Sequence, residues 1–277
     1  MTAEGRSYED ELAVARQAAR DAGALLRAEL ARGPRGGDGV APADGEAEAI
    51  IFEKLASSFP SYGTRMEERA EHCRSGSDGE GHLWLVDPND GTRRFLKGER
   101  GTAISIALLR RGIPILGVVY AFATEAERGP SEDLLAWAEG CDFTRNGRAF
   151  VRPPWPERLS PDEIGFITAS RSSRAEALRV ANGARAVSGP SLAYRLARVA
   201  AGDGAAAFSL RGPKSWDYAG AHALLRAAGG SLVDERGAEV VYGNDGTGAV
   251  RACFGGGPAI VPELVSAMRD RPGHHLA

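Results

Sequence analysis

Trp84-Leu85-Val86-Asp87-Pro88-Asn89-Asp90-Gly91-Thr92 is the stretch on which the reading of this chain turns. The apolar run 84–86 predicts a buried strand, and the strand delivers two carboxylates into a tight turn. Like charges brought that close repel unless a cation offsets them. Mg²⁺ asks for such a cluster of oxygen ligands in near-octahedral geometry. Pro88 fixes one backbone dihedral, and Gly91 lets the chain approach a ligand closely. If Thr92 opens a helical turn, the free N–H groups there suit a phosphate. Pro-Asn-Asp-Gly is also a good β-turn on composition alone, so residues elsewhere must decide between the two readings.

Working outward, short β-rich runs at 83–86, 103–109, 113–120 and 134–138 predict an antiparallel sheet. Before them, Ser7 and Asp10 resemble a capping box for a first helix reaching about residue 30, with Leu12, Ala15, Ala19, Ala22 and Leu26 on its core face. A Gly- and Pro-rich loop over 32–43 leads to a second helix carrying Ala47, Ile51 and Leu55 and stopping near Pro60. Past the prolines at 153, 154 and 156, strands and helices alternate: a strand at 164–169, helices near 175–181 and 191–201, and a strand around Ala206. A helix at 218–228 ends at Gly229-Gly230, and a last helix starts beside Pro258.

Other acids come into question with Asp87 and Asp90. Asp44 opens the second helix with Glu48 one turn later, Glu67-Glu68 follows Pro60, and Asp217 stands in Trp216-Asp217-Tyr218-Ala219 at the mouth of an apolar helix. Seen singly, Asp44 is as readily an N-cap, Glu67-Glu68 a solvated pair and Asp217 a partner of the helix dipole. Ser170-Arg171-Ser172-Ser173-Arg174 reads as a polar strand-to-helix connection rather than a phosphate loop. Gly202-x-Gly204-x-x-Ala207 follows a helix, which is the wrong context for a dinucleotide fingerprint. His72 beside Cys73 lacks zinc spacing, and His274-His275 falls in the tail.

The chain has 277 residues, 43% of them hydrophobic, and a formal net charge of −3. This supplies ample core and no basic field to draw nucleic acid or an anionic membrane. Cys73, Cys141 and Cys253 are far apart without Cys-x-x-Cys spacing. That argues against a disulfide framework and for a reducing, cytoplasmic setting. The chain opens polar and charged, and no stretch approaches the roughly 18 apolar residues needed to span a bilayer.

Taken together, the motifs resemble the inositol monophosphatase superfamily of Mg²⁺-dependent, lithium-sensitive phosphatases. Asp87-Pro88-Asn89-Asp90-Gly91-Thr92 looks like its Asp-Pro-Ile/Leu-Asp-Gly-Thr signature, and Trp216-Asp217-Tyr218-Ala219 with Gly229-Gly230 looks like its second. Glu67-Glu68 resembles the Gly-Glu-Glu element, and Asp44 with Glu48 its Asp-x-x-x-Glu. The resemblance implies a layered αβαβα sandwich of mixed α+β and α/β character. An N-terminal part, 1–145, would carry the main metal site, and a C-terminal part, 146–277, would supply Asp217 and substrate contacts. It further implies that Glu67, Asp87, Asp90, Asp217 and the main-chain carbonyl of Asn89 hold two or three Mg²⁺. Asp44 and Thr92, with Glu67, would activate a water, and Gly91 and Thr92 would grip the phosphate. Ser191 and Asp217 would contact the substrate, a small phosphorylated metabolite such as an inositol or sugar phosphate, in a homodimer. Met66 stands where glycine is usual, and Asn89 where Ile or Leu is. The stretch 208–211 carries no acid where inositol-specific members have a glutamate. Arg211 and Lys214 stand nearby and would suit a second anionic group, as in a bisphosphatase or nucleotide 3′-phosphatase. A catalytically weak binding relative is the alternative of another class.

Overall fold

The computed structural model describes residues 6–34, 41–124, 131–168, 174–248 and 250–270. The serines at 170, 172 and 173 with Arg171, and the histidine pair at 274–275, lie outside them.

Two helices open the chain, α1 (Glu9–Ala31) and α2 (Pro42–Ser58). Helix α1 buries Leu12, Ala15, Ala19, Ala22 and Leu26 at helical spacing, as expected. The capping box at Ser7 does not form. Tyr8 is the N-cap without a side-chain bond, and the Ser7 hydroxyl lies 3.7 Å from Cys141 Sγ instead. Helix α2 starts on Pro42, where the missing N–H costs nothing, and ends before Pro60, whose ring disfavours a helical predecessor.

Seven strands then form one sheet in sequence order: β1 (Gly63–Met66), β2 (His82–Asp90), β3 (Ala103–Arg110), β4 (Ile113–Ala121), β5 (Asp133–Ala138), β6 (Thr144–Arg145) and β7 (Arg148–Ala149). Neighbours run antiparallel except β1 and β2, which are parallel. Strand β1, four residues with an arginine among them, carried no alternating pattern to announce it. The short helix α3 (Thr92–Phe95) follows β2. A second sheet has the order β11-β12-β10-β8-β9, from β8 (Ile164–Thr168), β9 (Arg185–Gly189), β10 (Ala206–Ser209), β11 (Ser231–Asp234) and β12 (Cys253–Gly256). Helices α4 (Arg174–Val180), α5 (Leu192–Ala200), α6 (Ser215–Ala227) and α7 (Ile260–Arg269) complete the chain.

The period of two along β2 sets the layers. Trp84 and Val86 join the core under α1 and α2, while Leu83 and Leu85 face the opposite core, shared with α5 and α6. Beyond α5 and α6 lies the second sheet, whose far side packs Ile167, Phe208 and Phe254 against Val180 of α4 and Leu264 of α7. The result is the layered αβαβα sandwich. Helix α6 sits unusually close to the large sheet. A Cβ at Gly117 of β4 would come within 2.1 Å of the Gly220 carbonyl oxygen, and the Ser105 hydroxyl donates to the Trp216 carbonyl at 3.0 Å. That seat fixes the N-terminus of α6 over the end of β2.

Candidate metal centre

The pairing of β2 with β3 slips between Asp87 and Asp90. A bulge of this kind inserts residues into one strand and reverses which face the next side chain takes. Asp87 has the parity of Leu83 and Leu85 and faces the α6 side. Without the slip Asp90 would face the opposite side. With it, Asp90 reaches α5, where its Oδ2 accepts from the Ser191 hydroxyl and the Ala193 N–H, both at 2.7 Å. Asn89 turns the other way, toward α2. Asp87 Oδ1 closes the turn by accepting the Asn89 backbone N–H at 2.8 Å. Gly91 then adopts φ +107°, in the left-handed region that favours glycine, and a Cβ there would stand 2.9 Å from the Thr102 methyl. Thr92 does open a helical turn, that of α3.

Asp44 is not the N-cap of α2; Ala41 is. The Asp44 side chain, 1% exposed, is spent on the β2–α3 turn. Its Oδ1 accepts from the Asn89 side-chain amide at 2.9 Å and its Oδ2 from the Thr92 hydroxyl at 2.9 Å. One turn on, Glu48 is wholly buried and takes the backbone N–H groups of Glu68 at 2.6 Å and Arg69 at 3.0 Å, with His72 Nδ1 2.8 Å away. Glu48 thereby holds the segment that carries Glu67. Met66, the residue in place of glycine, is 3% exposed and packs in the core under α1 and α2, so Glu67 follows directly from the end of β1. Asp217 lies in the first turn of α6 and closes it, its Oδ2 accepting the Lys214 N–H at 2.9 Å.

Glu67, Asp87 and Asp217 come together: each offers a carboxylate oxygen, all within 4.8 Å of one another. Burial, then the neighbouring Glu67, Asp90 and Asp217, pushes Asp87 well above the usual carboxylate range. Burial and Asp90 do the same to Asp217, against the Lys214 N–H and the Lys214 charge. Burial raises Asp90 to about 6 although Ala193, Ser191 and the buried Arg195 oppose it. Asp44 is likewise raised to about 6 by burial, against its bonds from Asn89 and Thr92. Glu68, exposed at the rim, is raised to about 7 by partial desolvation and the nearby Glu67, Asp44 and Glu48. Oxygen donors that crowd together and resist ionisation are the donor set a hard divalent cation would complete, so the residues present fit Mg²⁺.

Ser191 is fully buried, and its hydroxyl lies on Asp90, accepting in turn from the Tyr194 N–H at 2.9 Å to cap α5. Arg211 and Lys214 are exposed in the link between β10 and α6, and the Lys214 charge acts on Asp217. Three features of the site escaped the sequence reading. They are the Asn89 side-chain amide on Asp44, the hold of Glu48 on the segment that carries Glu67, and the buried Arg195. Glu48 had a signal: an acid on the same helical face as Ile51 and Leu55 is buried and needs partners. Arg195 donates to the carbonyls of Ser191 at 3.1 Å and Phe208 at 2.7 Å, tying the start of α5 to β10.

The profile of the inositol monophosphatase family matches residues 7–267. An inositol-1-monophosphatase of Mesorhizobium japonicum is 35% identical over 250 residues, which cover 83% of this chain and 84% of that protein. A 3′(2′),5′-bisphosphate nucleotidase CysQ of Salmonella typhimurium is 31% identical over 210 residues, covering 73% and 79%. Among solved structures, the inositol monophosphatase of Anabaena superposes with a TM-score of 0.76 at 25% identity, covering 95% of this chain and 97% of that one. The match runs through both sheets and every segment that supplies an acid to the site, and the chain belongs to the inositol monophosphatase family.

Proposed function

We propose that this protein is an Mg²⁺-dependent phosphatase that hydrolyses a small phosphomonoester at the site built by β1, β2, α2 and α6. The observation that carries the reading is the convergence of Glu67, Asp87 and Asp217 within 4.8 Å beside the Asp44–Thr92 pair. Glu67, Asp87, Asp90, Asp217 and the main-chain carbonyl of Asn89 would hold two or three ions, with Asp90 steadied by Ser191 and α5. Bound there, the cations supply neutralisation of phosphoryl charge and raise the acidity of an attacking water.

This chain's own residues do the rest. Thr92 Oγ1 donates to Asp44 Oδ2, which leaves its lone pairs open to a proton from the attacking water. Asp44, raised to about 6 by burial, can receive the proton that Thr92 passes on. The backbone N–H groups of Gly91 and Thr92, at the left-handed turn into α3, would take phosphate oxygens. The N-terminal part, 1–145, would supply this machinery, and the C-terminal part, 146–277, would close it with Asp217. A homodimer in the cytoplasm is in keeping with the family resemblance and with three free cysteines. Arg211 and Lys214, exposed in the link that leads into α6, favour a second reading in which the substrate carries another anionic group.

The test is phosphate release with Mg²⁺ across inositol phosphates, sugar phosphates, fructose bisphosphate and 3′-phosphorylated nucleotides, for wild type and Asp90→Asn. Wild type is expected to turn over at least one substrate. Asp90→Asn should fall at least about a hundredfold with its fold intact, because the lost charge is a ligand rather than packing. Equal turnover in the two proteins would remove the site.

A further inference from the structure

Asn89 carries two features that the metal set does not use. Its side-chain Nδ2 donates to Asp44 Oδ1 at 2.9 Å, and its Oδ1 is buried with no hydrogen-bond partner among the described residues. The residue is 1% exposed, and the bulge in β2 aims it at α2, away from Asp87 and Asp90. Its own carbonyl oxygen meanwhile accepts from the Thr92 hydroxyl at 3.2 Å, sharing that proton with Asp44 Oδ2. A single residue therefore touches both members of the Asp44–Thr92 pair, one through its amide and one through its backbone.

We propose that Asn89 is a positioning residue for Asp44, its amide fixing the rotation of the carboxylate so that Oδ2 stays on the Thr92 hydroxyl. An Asp carboxylate turns easily about its terminal torsion, which is broad and two-fold. One bond from Thr92 sets a direction for one oxygen only. The second bond, from Asn89 to the other oxygen, fixes the plane. The donor also satisfies a buried oxygen that an apolar residue would leave without a partner.

This inference rests on the phosphatase reading, and its test separates the two. Asn89→Leu keeps the main-chain carbonyl and the side-chain volume but deletes the donor. The expected result is a kcat lowered about tenfold with KM and the calorimetric Mg²⁺ affinity within about twofold of wild type, the pattern of a lost transition-state interaction. In the double variant with Asp44→Asn, kcat should fall no further than in Asp44→Asn alone. Asn89→Ala, which deletes the donor without adding apolar bulk, should show the same fall in kcat and serves in place of Asn89→Leu should that variant fold poorly. A second readout needs no turnover: in EDTA, the thermal stabilities of wild type, both single variants and the double should show coupling between Asn89 and Asp44. An unchanged kcat in Asn89→Leu, additive losses, or zero coupling in EDTA would overturn the role of Asn89. A wild type inactive on every phosphoester would instead overturn the phosphatase reading and leave the coupling measurement to decide whether the clamp exists.

Discussion

Asp44, Asp87, Asp90 and Asp217 all sit where burial, with mutual repulsion at most of them, favours the protonated acid. An acid whose pKa is raised on folding binds its proton more tightly in the native state. Its contribution to stability is whole below the unfolded value, near 4, and is lost as the pH rises through the folded one. For Asp44 and Asp90 that loss runs from about 4 and is nearly complete by about 6. A cation competes for the same oxygens, so the rise in Tm caused by Mg²⁺ should be small at pH 5 and grow through pH 6 to 8. Differential scanning with and without Mg²⁺ reads this directly, and a shift that is flat or shrinks with pH would contradict it. At this scale the sequence was informative where one residue carries one role: Asp87, Asp90 and Thr92 announce themselves in a single turn. It was silent where a role depends on direction. Nothing in Pro-Asn-Asp-Gly says that a bulge will send Asp90 toward Ser191 and the Asn89 amide toward Asp44, because register belongs to the pairing of β2 with β3.

Among the elements, α6 does most to complete the site, since Asp217 travels with it. Its position depends on two glycines in contact, Gly117 on β4 and Gly220 on α6, and on the Ser105 hydroxyl holding the Trp216 carbonyl at 3.0 Å. Gly117→Ala would place a methyl 2.1 Å from the Gly220 oxygen, so helix and sheet must separate. Overpacking of this kind costs about 1–3 kcal/mol, and each kcal/mol lowers Tm by about 2–4 °C in a chain of this size. The account predicts a lower Tm together with weaker Mg²⁺ binding by calorimetry, because Asp217 would be drawn away from Asp87. An unchanged Tm, or a lower one with unaltered Mg²⁺ affinity, would show that the close seat of α6 does not matter to the site. The long elements were legible from periodicity: α1, α2, β3 and β4 lie where the pattern puts them, within a residue or two at most ends. The missing ones, β1, β6, β7, β9, β11 and β12, are two to five residues each, too short to carry a period of their own, and are strands by virtue of the neighbours they pair with.

Across the whole molecule, the acids of the site come from four segments distant in sequence. Glu67 follows the edge strand β1, and Asp87 and Asp90 end β2. Asp44 comes from the helical layer on one side of the large sheet and Asp217 from the layer on the other. The ends of β1 and β2 are where these layers meet, and these two strands are the parallel pair of an otherwise antiparallel sheet. Both strands run toward the site and deliver their acids from the same end. Short motifs in the right order were enough to expect this gathering, while the layer that brings each acid in could not be read from them. The most direct test is a crystal structure grown with Mn²⁺, a cation suited to the same carboxylate ligands, with the ion located by its anomalous signal. The account predicts at least one peak within about 2.5 Å of carboxylate oxygens of Glu67, Asp87 and Asp217. A crystal with Mn²⁺ at other positions only, or with those three side chains turned apart, would contradict it.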